Sequence, residues 1–241
     1  MANIKFYPFN QETVDFTPEP QPAYKHLPDW YKLQPGYIGD EKTSLSRGFS
    51  ASTVKRCMPM YDVISSGYMI YFPCDIFIDA TNPEKLLYSV PEGVKGIKNT
   101  LFSFHSEQQV SHYPRETETY HKEIFRILPL WSAGTDRGYS CLFTQPFHRE
   151  PAPFKLFSAV IDTDNYISDG FLSMYIKKDF RGTIERGTPM AQIIPFKRDS
   201  YEMSFANPEE SHMALSKQRF LVRSKFNNFY RNHMRQRKDY K

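Results

Sequence analysis

The sequence of 241 residues predicts a mainly β fold, a barrel or a sandwich-like body, followed by a C-terminal amphipathic helix. Between residues 54 and 206, short runs rich in Ile, Val, Phe and Tyr alternate with Gly, Pro, Asn and Asp. Residues 207–241 contain one proline, Pro208, and no glycine. The composition, 40% hydrophobic and 16% aromatic, excludes a disordered or collagen-like chain.

Residues 1–53 are predicted to form an extended arm rich in proline and aromatic residues. Five prolines lie in residues 17–36, and each removes a backbone donor and favours extended geometry before it. We therefore expect neither a helix nor a central strand there. Tyr24, Trp30 and Tyr31 argue against a solvated linker. The arm is expected to lie on a surface of this chain or of a neighbour.

Residues 54–206 are predicted to form the β body. One stretch, Lys55–Val63, is compatible with a short helix, and residues 79–123 are predicted to contain a polar insertion or a long loop. The apolar runs that predict strands are Tyr68–Phe72, Ile76–Ile78, Ile124–Leu128, Tyr139–Phe143, Leu156–Ile161 and Ala191–Ile194.

A helix is predicted to begin at residue 207. Asn207 is the N-cap candidate, Pro208 occupies the first helical position, and Glu210 stands where a capping box needs an acid. A break is expected near Asn227–Asn228. Large apolar residues recur at roughly helical spacing, at Phe220, Leu221, Phe226, Phe229, Tyr230 and Met234.

The net charge of +4 is unevenly distributed. Residues 211–241 carry nine Lys/Arg and one acid, or +8, whereas the other 210 residues carry −4. The tail can bind nucleic acid through phosphates, lie with one face buried on the acidic body or another subunit, or bind an acidic partner protein. Burial is favoured because exposed large apolar residues are a liability. The interaction candidates are Arg219, Arg223, Lys225, Arg231 and Arg235.

The chain shows no signature of a metal site or a membrane segment. The cysteines at 57, 74 and 141 have no metal-like spacing and are expected to be reduced thiols. His105, His112, His121 and His148 form no closely spaced pair, so surface or hydrogen-bonded roles are favoured. No window reaches about 18 apolar residues and the first residues lack a signal-peptide core, so we expect a soluble protein made in a cytoplasm.

Two segments carry the strongest motif signal. Ala159-Val-Ile-Asp-Thr-Asp-Asn-Tyr166 ends a strand in two carboxylates, Asp162 and Asp164, which can orient a water, bind a cation or cap a turn. Turn capping is the favoured interpretation. Arg186-Gly-Thr-Pro-Met-Ala-Gln-Ile193 follows and places Gln192 among apolar neighbours.

In order and spacing these two segments resemble the dUTPase family. Ser65-Ser-Gly-Tyr-Met-Ile-Tyr71 and Gly138–Pro146 are similar to two further segments of that family. The resemblance spans about residues 63–197 and implies a β-clip fold, commonly assembled as a trimer. It also implies a pocket in which Asp162 activates water, Tyr166 underlies the sugar, and Gln192 and Arg149 contact ligand.

The chain departs from the family pattern at positions that the chemistry needs. Met69 replaces the acid that helps hold hydrated Mg²⁺, and Phe147-His-Arg149 lacks the phosphate-binding serine. Asn165 is inserted before Tyr166, and the basic tail stands in place of the glycine-rich arm. Since the reaction needs metal, phosphate clamp and water activator together, dUTP hydrolysis is disfavoured, and no cofactor is expected unless the enzyme alternative holds.

The whole chain also resembles uncharacterised proteins of T4-like tailed bacteriophages of cyanobacteria. Segments of that type are Val54–Pro59, Pro73–Ile76 and Gly187–Arg198. The first hypothesis is a non-catalytic structural or interaction protein of the virion, a homotrimer that contacts other virion proteins after assembly in the host cytoplasm. The alternatives are a nucleotide-binding protein or dUTP pyrophosphatase-like enzyme, and a nucleic-acid binder acting through residues 211–241.

Overall fold

The computed structural model describes residues 2–39, 52–91, 101–113, 116, 118–149, 152–167, 170–224 and 229–241, with backbone only at 221–224. Strands make up 33% and helices 25% of the structure, so the prediction of a mainly β protein is confirmed. The strands form four antiparallel sheets, and the described strands close no barrel.

The chain divides into two compact units. One comprises Met1–His26 and Gly67–Arg198, and the other comprises Leu27–Ser66 and Asp199–Lys241. The strands of the first unit are β1 Ile4–Pro8, β2 Gln21–Pro22, β3 Tyr68–Tyr71, β4 Ile76–Asp79, β5 Leu87–Ser89, β6 Phe102–His105, β7 Tyr120–Ile127, β8 Trp131–Thr135, β9 Tyr139–Thr144, β10 Phe154–Leu156, β11 Ala159–Ile161, β12 Leu172–Lys177, β13 Arg181–Ile184 and β14 Pro189–Lys197.

The strand order shows how the sheets are built. The largest sheet has the order β11-β9-β14-β3-β2, and the next has the order β10-β12-β7-β6. The remaining pairings are β13-β4-β5 and β1-β8. The largest fully buried side chains include Phe72, Phe125, Ile76 and Ile127, which belong to one hydrophobic core in this unit.

Gly67 fixes the entry into β3. Its φ of +69° lies in the left-handed region, and a Cβ at this position would stand 2.0 Å from the carbonyl oxygen of Ile193 on β14. A side chain therefore cannot be accommodated while β3 and β14 remain paired. The Ser-Gly-Tyr segment noted in the sequence needs its glycine for this packing reason.

Helices occur in both units. They are α1 Gln11–Phe16, α2 Asp29–Leu33, α3 Met58–Ser65 and α4 Pro208–Ser224, with 3-10 turns at Ala23–His26, Val54–Arg56 and Glu107–Val110 and a π-helical turn at Tyr230–Met234. None of the helices in the described ranges has the length and apolar character needed to cross a membrane. The helix predicted within Lys55–Val63 corresponds to the 3-10 turn and α3.

The predicted start of the C-terminal helix is confirmed. Asn207 Oδ1 accepts a hydrogen bond of 2.9 Å from the amide of Glu210, and Glu210 Oε2 accepts one of 3.1 Å from the amide of Asn207. Pro208 is the first helical residue. The predicted break at Asn227–Asn228 and the apolar position Phe226 lie outside the described residues.

Three local expectations need correction. Residues 17–36 contain α2, because Pro28 stands at the N-cap, where a proline is compatible with a helix that begins after it. The described part of 79–123 contains β5, β6 and the start of β7, so strands interrupt the region that was predicted to contain an insertion or a long loop. The run 156–161 is split, since β10 pairs with β12 whereas β11 pairs with β9.

Candidate functional site

The motif carboxylates lie where three strands of the largest sheet end or begin. β11 pairs with β9 so that Ile161 faces Cys141, and β14 pairs with β9 so that Lys197 faces Tyr139. The residues that follow β11 and β14 are therefore brought to one end of β9. This end holds Asp162, Asp164, Ser140, Gly138 and Arg198.

Asp164 is held by a bidentate ion pair. Arg198 donates from Nη1 to Oδ1 at 2.8 Å and from Nη2 to Oδ2 at 2.5 Å, and the Gly138 amide donates to Oδ2 at 2.7 Å. The Asp164 side chain is only 2% exposed. Hydrogen bonds from Arg198 and then from the Gly138 amide hold the pKa of Asp164 well below its usual range. This carboxylate joins the segments that follow β11 and β14 to the residue that precedes β9.

Asp162 is the more accessible of the two acids. Its side chain is 59% exposed, and Oδ1 accepts a hydrogen bond of 2.6 Å from Ser140 Oγ and lies 3.3 Å from Arg198 Nη1. Its carbonyl oxygen accepts hydrogen bonds from the amides of Asn165 and Tyr166. Asp162 therefore closes the turn after β11 with its backbone and contacts Arg198 with its side chain.

Gln192 lies further along the same sheet. It is buried, faces Thr144 on β9 and Met69 on β3, and its Oε1 accepts a hydrogen bond of 3.2 Å from the Phe147 amide. Ser140, which contacts Asp162, and Thr144, which faces Gln192, are four residues apart on β9, about 13 Å along the strand. Asp162 and Gln192 are therefore not in direct contact through this register.

The other two predicted ligand residues differ in exposure. Tyr166 is exposed, and Arg149 lies close enough to Tyr71 for its charge to act on that phenol. Burial raises the pKa of Tyr71 to about 12, against the opposing effect of Arg149. The group of Asp162, Tyr166, Gln192 and Arg149 thus spreads from the end of β9 into the sheet.

The C-terminal residues contain an ion pair that sequence reasoning missed. Arg235 donates to Asp62 of α3, from Nη2 to Oδ1 at 2.6 Å and from Nε to Oδ1 at 3.0 Å, and Lys238 Nζ donates to Oδ2 at 2.9 Å. Burial raises the pKa of Asp62, but the hydrogen bonds from Arg235 and Lys238 outweigh it, so the net pKa is lowered. The sequence feature that could have indicated this ion pair is the single acid, Asp62, in an otherwise uncharged helix.

The remaining basic candidates are distributed along the tail. Arg219 on α4 and Arg231 on the π-helical turn are exposed. Arg223 lies on α4, where only the backbone is described, and Lys225 lies outside the described residues. Met213 and Phe220 on α4 are exposed.

The buried histidine of the body has a structural hydrogen-bond pattern. His121 Nδ1 accepts from the Glu123 amide at 3.0 Å, which leaves Nε2 to donate to the Asn82 carbonyl oxygen at 2.9 Å. Within the described ranges, no group of three or more His, Cys, Asp or Glu side chains is arranged to hold a metal ion.

Comparisons with known proteins gave no match for this chain. No protein-family model matches the sequence, and neither a curated protein nor a solved structure matches it.

Proposed function

We propose that the chain is a non-catalytic structural or interaction protein of a tailed bacteriophage, built on a dUTPase-like β-clip body and incorporated into the virion as a homotrimer. The sequence resemblances are the basis for the phage context and the fold. The pairing of β3 with β14 is compatible with them, because it sets the segments 65–71 and 186–193 side by side. The proposal includes assembly in the host cytoplasm.

One observation carries the interaction role. Tyr201, Met203 and Phe205 are 89%, 80% and 87% exposed, and they occupy alternate positions of a segment without regular secondary structure that precedes α4. Met213 and Phe220 on α4 are exposed as well. Large exposed apolar side chains concentrated in one segment mark protein-interaction sites, since water contact is unfavourable for them. A neighbouring subunit or virion protein would cover this segment.

The state of the motif acids supports a non-catalytic role. A water-activating carboxylate must reach its water, yet Asp164 is enclosed by Arg198 and the Gly138 amide. Asp162, the acid to which the resemblance assigns water activation, is 59% exposed, but its Oδ1 accepts from Ser140 and lies 3.3 Å from Arg198. These contacts use the acids to hold β9, β11 and β14 together.

The deciding experiment is mass spectrometry of gradient-purified virions from cells in which this gene is expressed during infection. We expect the chain to be enriched with the particle proteins in amounts that scale with particle number. A host cytoplasmic protein of similar abundance serves as the control for carry-over. Presence in the lysate together with absence from the particles would refute the proposal.

A further inference from the structure

One face of the four-stranded sheet lies in the hydrophobic core, whereas the other carries polar side chains beside the buried Ile124 and Tyr175. Phe125, Ile127 and Met174 point into the core and are fully buried. Side chains alternate along each strand, so the intervening residues of β6, β7 and β12 lie on the other face. None of the sequence motifs lies on that face.

Three polar residues form a row across this second face. Arg126 on the central strand β7 faces Ser103 on β6 and Ser173 on β12. Neighbouring strands lie about 4.8 Å apart, so each hydroxyl flanks the base of the arginine side chain. His105 lies two residues beyond Ser103 on the same face of β6. Together with His105, the row therefore combines a guanidinium with two hydroxyl groups and an imidazole.

Three polar atoms of this cluster are buried without a hydrogen-bond partner in the described part of the chain. Ser103 Oγ, His105 Nδ1 and Arg126 Nε are inaccessible and have no partner among the described residues. Within the same ranges Arg126 forms no salt bridge, and the contact its guanidinium makes is with the ring of Phe171, 4.8 Å from the ring centre. These three residues are half-buried as a whole.

Burying these unpaired polar groups is energetically unfavourable unless an anion binds to them. A partly buried charge without a counter-ion loses hydration that nothing restores, and each buried unpaired donor adds to that cost. Guanidinium and hydroxyl groups donate hydrogen bonds, and the planar guanidinium matches an oxyanion with two oxygens. The contact with Phe171 holds the guanidinium plane without neutralising its charge.

We propose that Ser103, His105, Arg126 and Ser173 form a binding site for an oxyanion, either a phosphate or a carboxylate group. Arg126 supplies the charge and the bidentate donors. Ser103 and Ser173 bind the remaining oxygens from each side, and His105 adds a ring nitrogen at the edge. The site lies on the sheet face opposite the core and is separate from the Asp162 and Asp164 cluster.

The wild-type protein tests this directly by NMR. Inorganic phosphate, methyl phosphate and acetate are titrated separately at constant ionic strength, with chloride as the reference, and the Nε–H signal of Arg126 is followed. We expect a saturable shift of that signal. A response to both phosphates but not to acetate identifies phosphate as the group recognised, and an equal response to acetate identifies a carboxylate. Absence of a saturable shift with all three anions would overturn the proposal.

Thermal unfolding of variants separates a binding arginine from a structural one. Without added anion, Arg126→Met should melt at or above the wild-type temperature, because it removes an unpaired half-buried charge and keeps the apolar stem. The anion found by NMR should raise the melting temperature of the wild type and leave that of Arg126→Met unchanged. Ser103→Ala and Ser173→Ala should each weaken binding about tenfold.

Lys177→Met is the matched control, since it removes one positive charge from the same face of β12, four residues beyond Ser173. It should keep the full anion response. Equal loss in Lys177→Met and Arg126→Met would show general charge attraction and overturn the proposal. If Arg126→Met does not fold, Arg126→Lys replaces it, because lysine keeps the positive charge but lacks the planar group with two donor nitrogens. An anion affinity of Arg126→Lys equal to that of the wild type would refute the site.

Discussion

Arg235 holds the buried carboxylate of Asp62 by a two-nitrogen contact, with Nη2 at 2.6 Å and Nε at 3.0 Å from the same oxygen. The guanidinium also lies over the ring of Tyr61, 5.5 Å from its centre. Both charged side chains are largely shielded from water. The contact joins α3 to the residues after the π-helical turn, so part of the basic tail is neutralised within its own unit.

Arg235→Leu should destabilise α3. The substitution leaves Asp62 with Lys238 as its remaining cation, and the loss of charged hydrogen bonds should cost about 2 kcal/mol. Hydrogen exchange of the α3 amides measures that change locally. Arg237→Leu is the control, because Arg237 pairs with Asp239 in an exposed position, and it should change stability by less than about 0.5 kcal/mol. Equal effects of the two substitutions would contradict a specific role for the Asp62 contact.

Gly67→Ala should prevent normal pairing of β3 with β14. The new Cβ would overlap the Ile193 carbonyl oxygen, and either the strand shifts or the turn changes its φ, at a cost above about 3 kcal/mol. Gly138→Ala provides the comparison, since its φ is +87° but no atom lies within 4 Å of the added Cβ. Conformational strain alone should cost it about 1–2 kcal/mol. Urea unfolding of both variants tests the difference.

The pH dependence of stability should depend on Asp164. Its pKa is lowered in the folded protein, so the folded state favours the carboxylate form more than the unfolded chain does. The resulting stabilisation is complete above the unfolded pKa of about 4 and is lost as the pH falls below it. Urea midpoints measured from pH 6 down to pH 2 should fall more steeply in the wild type than in Asp164→Asn. Parallel curves would contradict the ion pair with Arg198.

Replacing Tyr201, Met203 and Phe205 together by serine should leave folding intact and reduce association. These side chains are almost fully exposed, so their removal should change the free energy of unfolding by less than about 0.5 kcal/mol. Sedimentation velocity should show the wild type in larger assemblies than the variant. As a control, Glu202→Ser together with Ala206→Ser alters neighbouring positions of the same segment and should keep the assembly state. Identical sedimentation of wild type and triple variant would exclude this segment from the interface.

The purified protein should not hydrolyse dUTP. With dUTP and Mg²⁺, pyrophosphate release should stay at the level of a protein-free blank, because Met69 offers no carboxylate for a metal ion and Asp164 is enclosed by Arg198 and the Gly138 amide. The assay needs an active dUTP pyrophosphatase as a positive control. Turnover that is lost in Asp162→Asn would support the enzyme alternative instead of the structural role.

Local sequence patterns predicted the strands well where all side chains of a strand are buried. Tyr68–Tyr71 is buried along its whole length, and its run of apolar residues indicated β3 directly. The capping box at Asn207 was also predictable, since it depends on residues only three apart. The run from Leu156 to Ile161 was predicted as one strand, because the sequence does not show that β10 and β11 pair with different partners.

The site was less predictable than the fold because its contacts are distant in sequence. The turn acids Asp162 and Asp164 were predicted from the sequence. Their partner Arg198 was not, because it follows a different strand. Asp62 and Arg235 are 173 residues apart, so no spacing rule connects them. The Ser103, Arg126 and Ser173 row depends on the register of three strands, and a shift of one residue would place these side chains in the core.

The separation between Asp62 and Arg235 also bears on the order of folding during synthesis. At about 5–20 residues per second, a ribosome needs roughly 10–35 s to add the 173 residues that separate them. The strands from β1 to β14 are complete by residue 197, well before Arg235 is translated. The β unit can therefore fold first, while α3 waits for its ion-pair partner. A chain released before residue 235 would leave the Asp62 carboxylate without Arg235 and Lys238 as its cations.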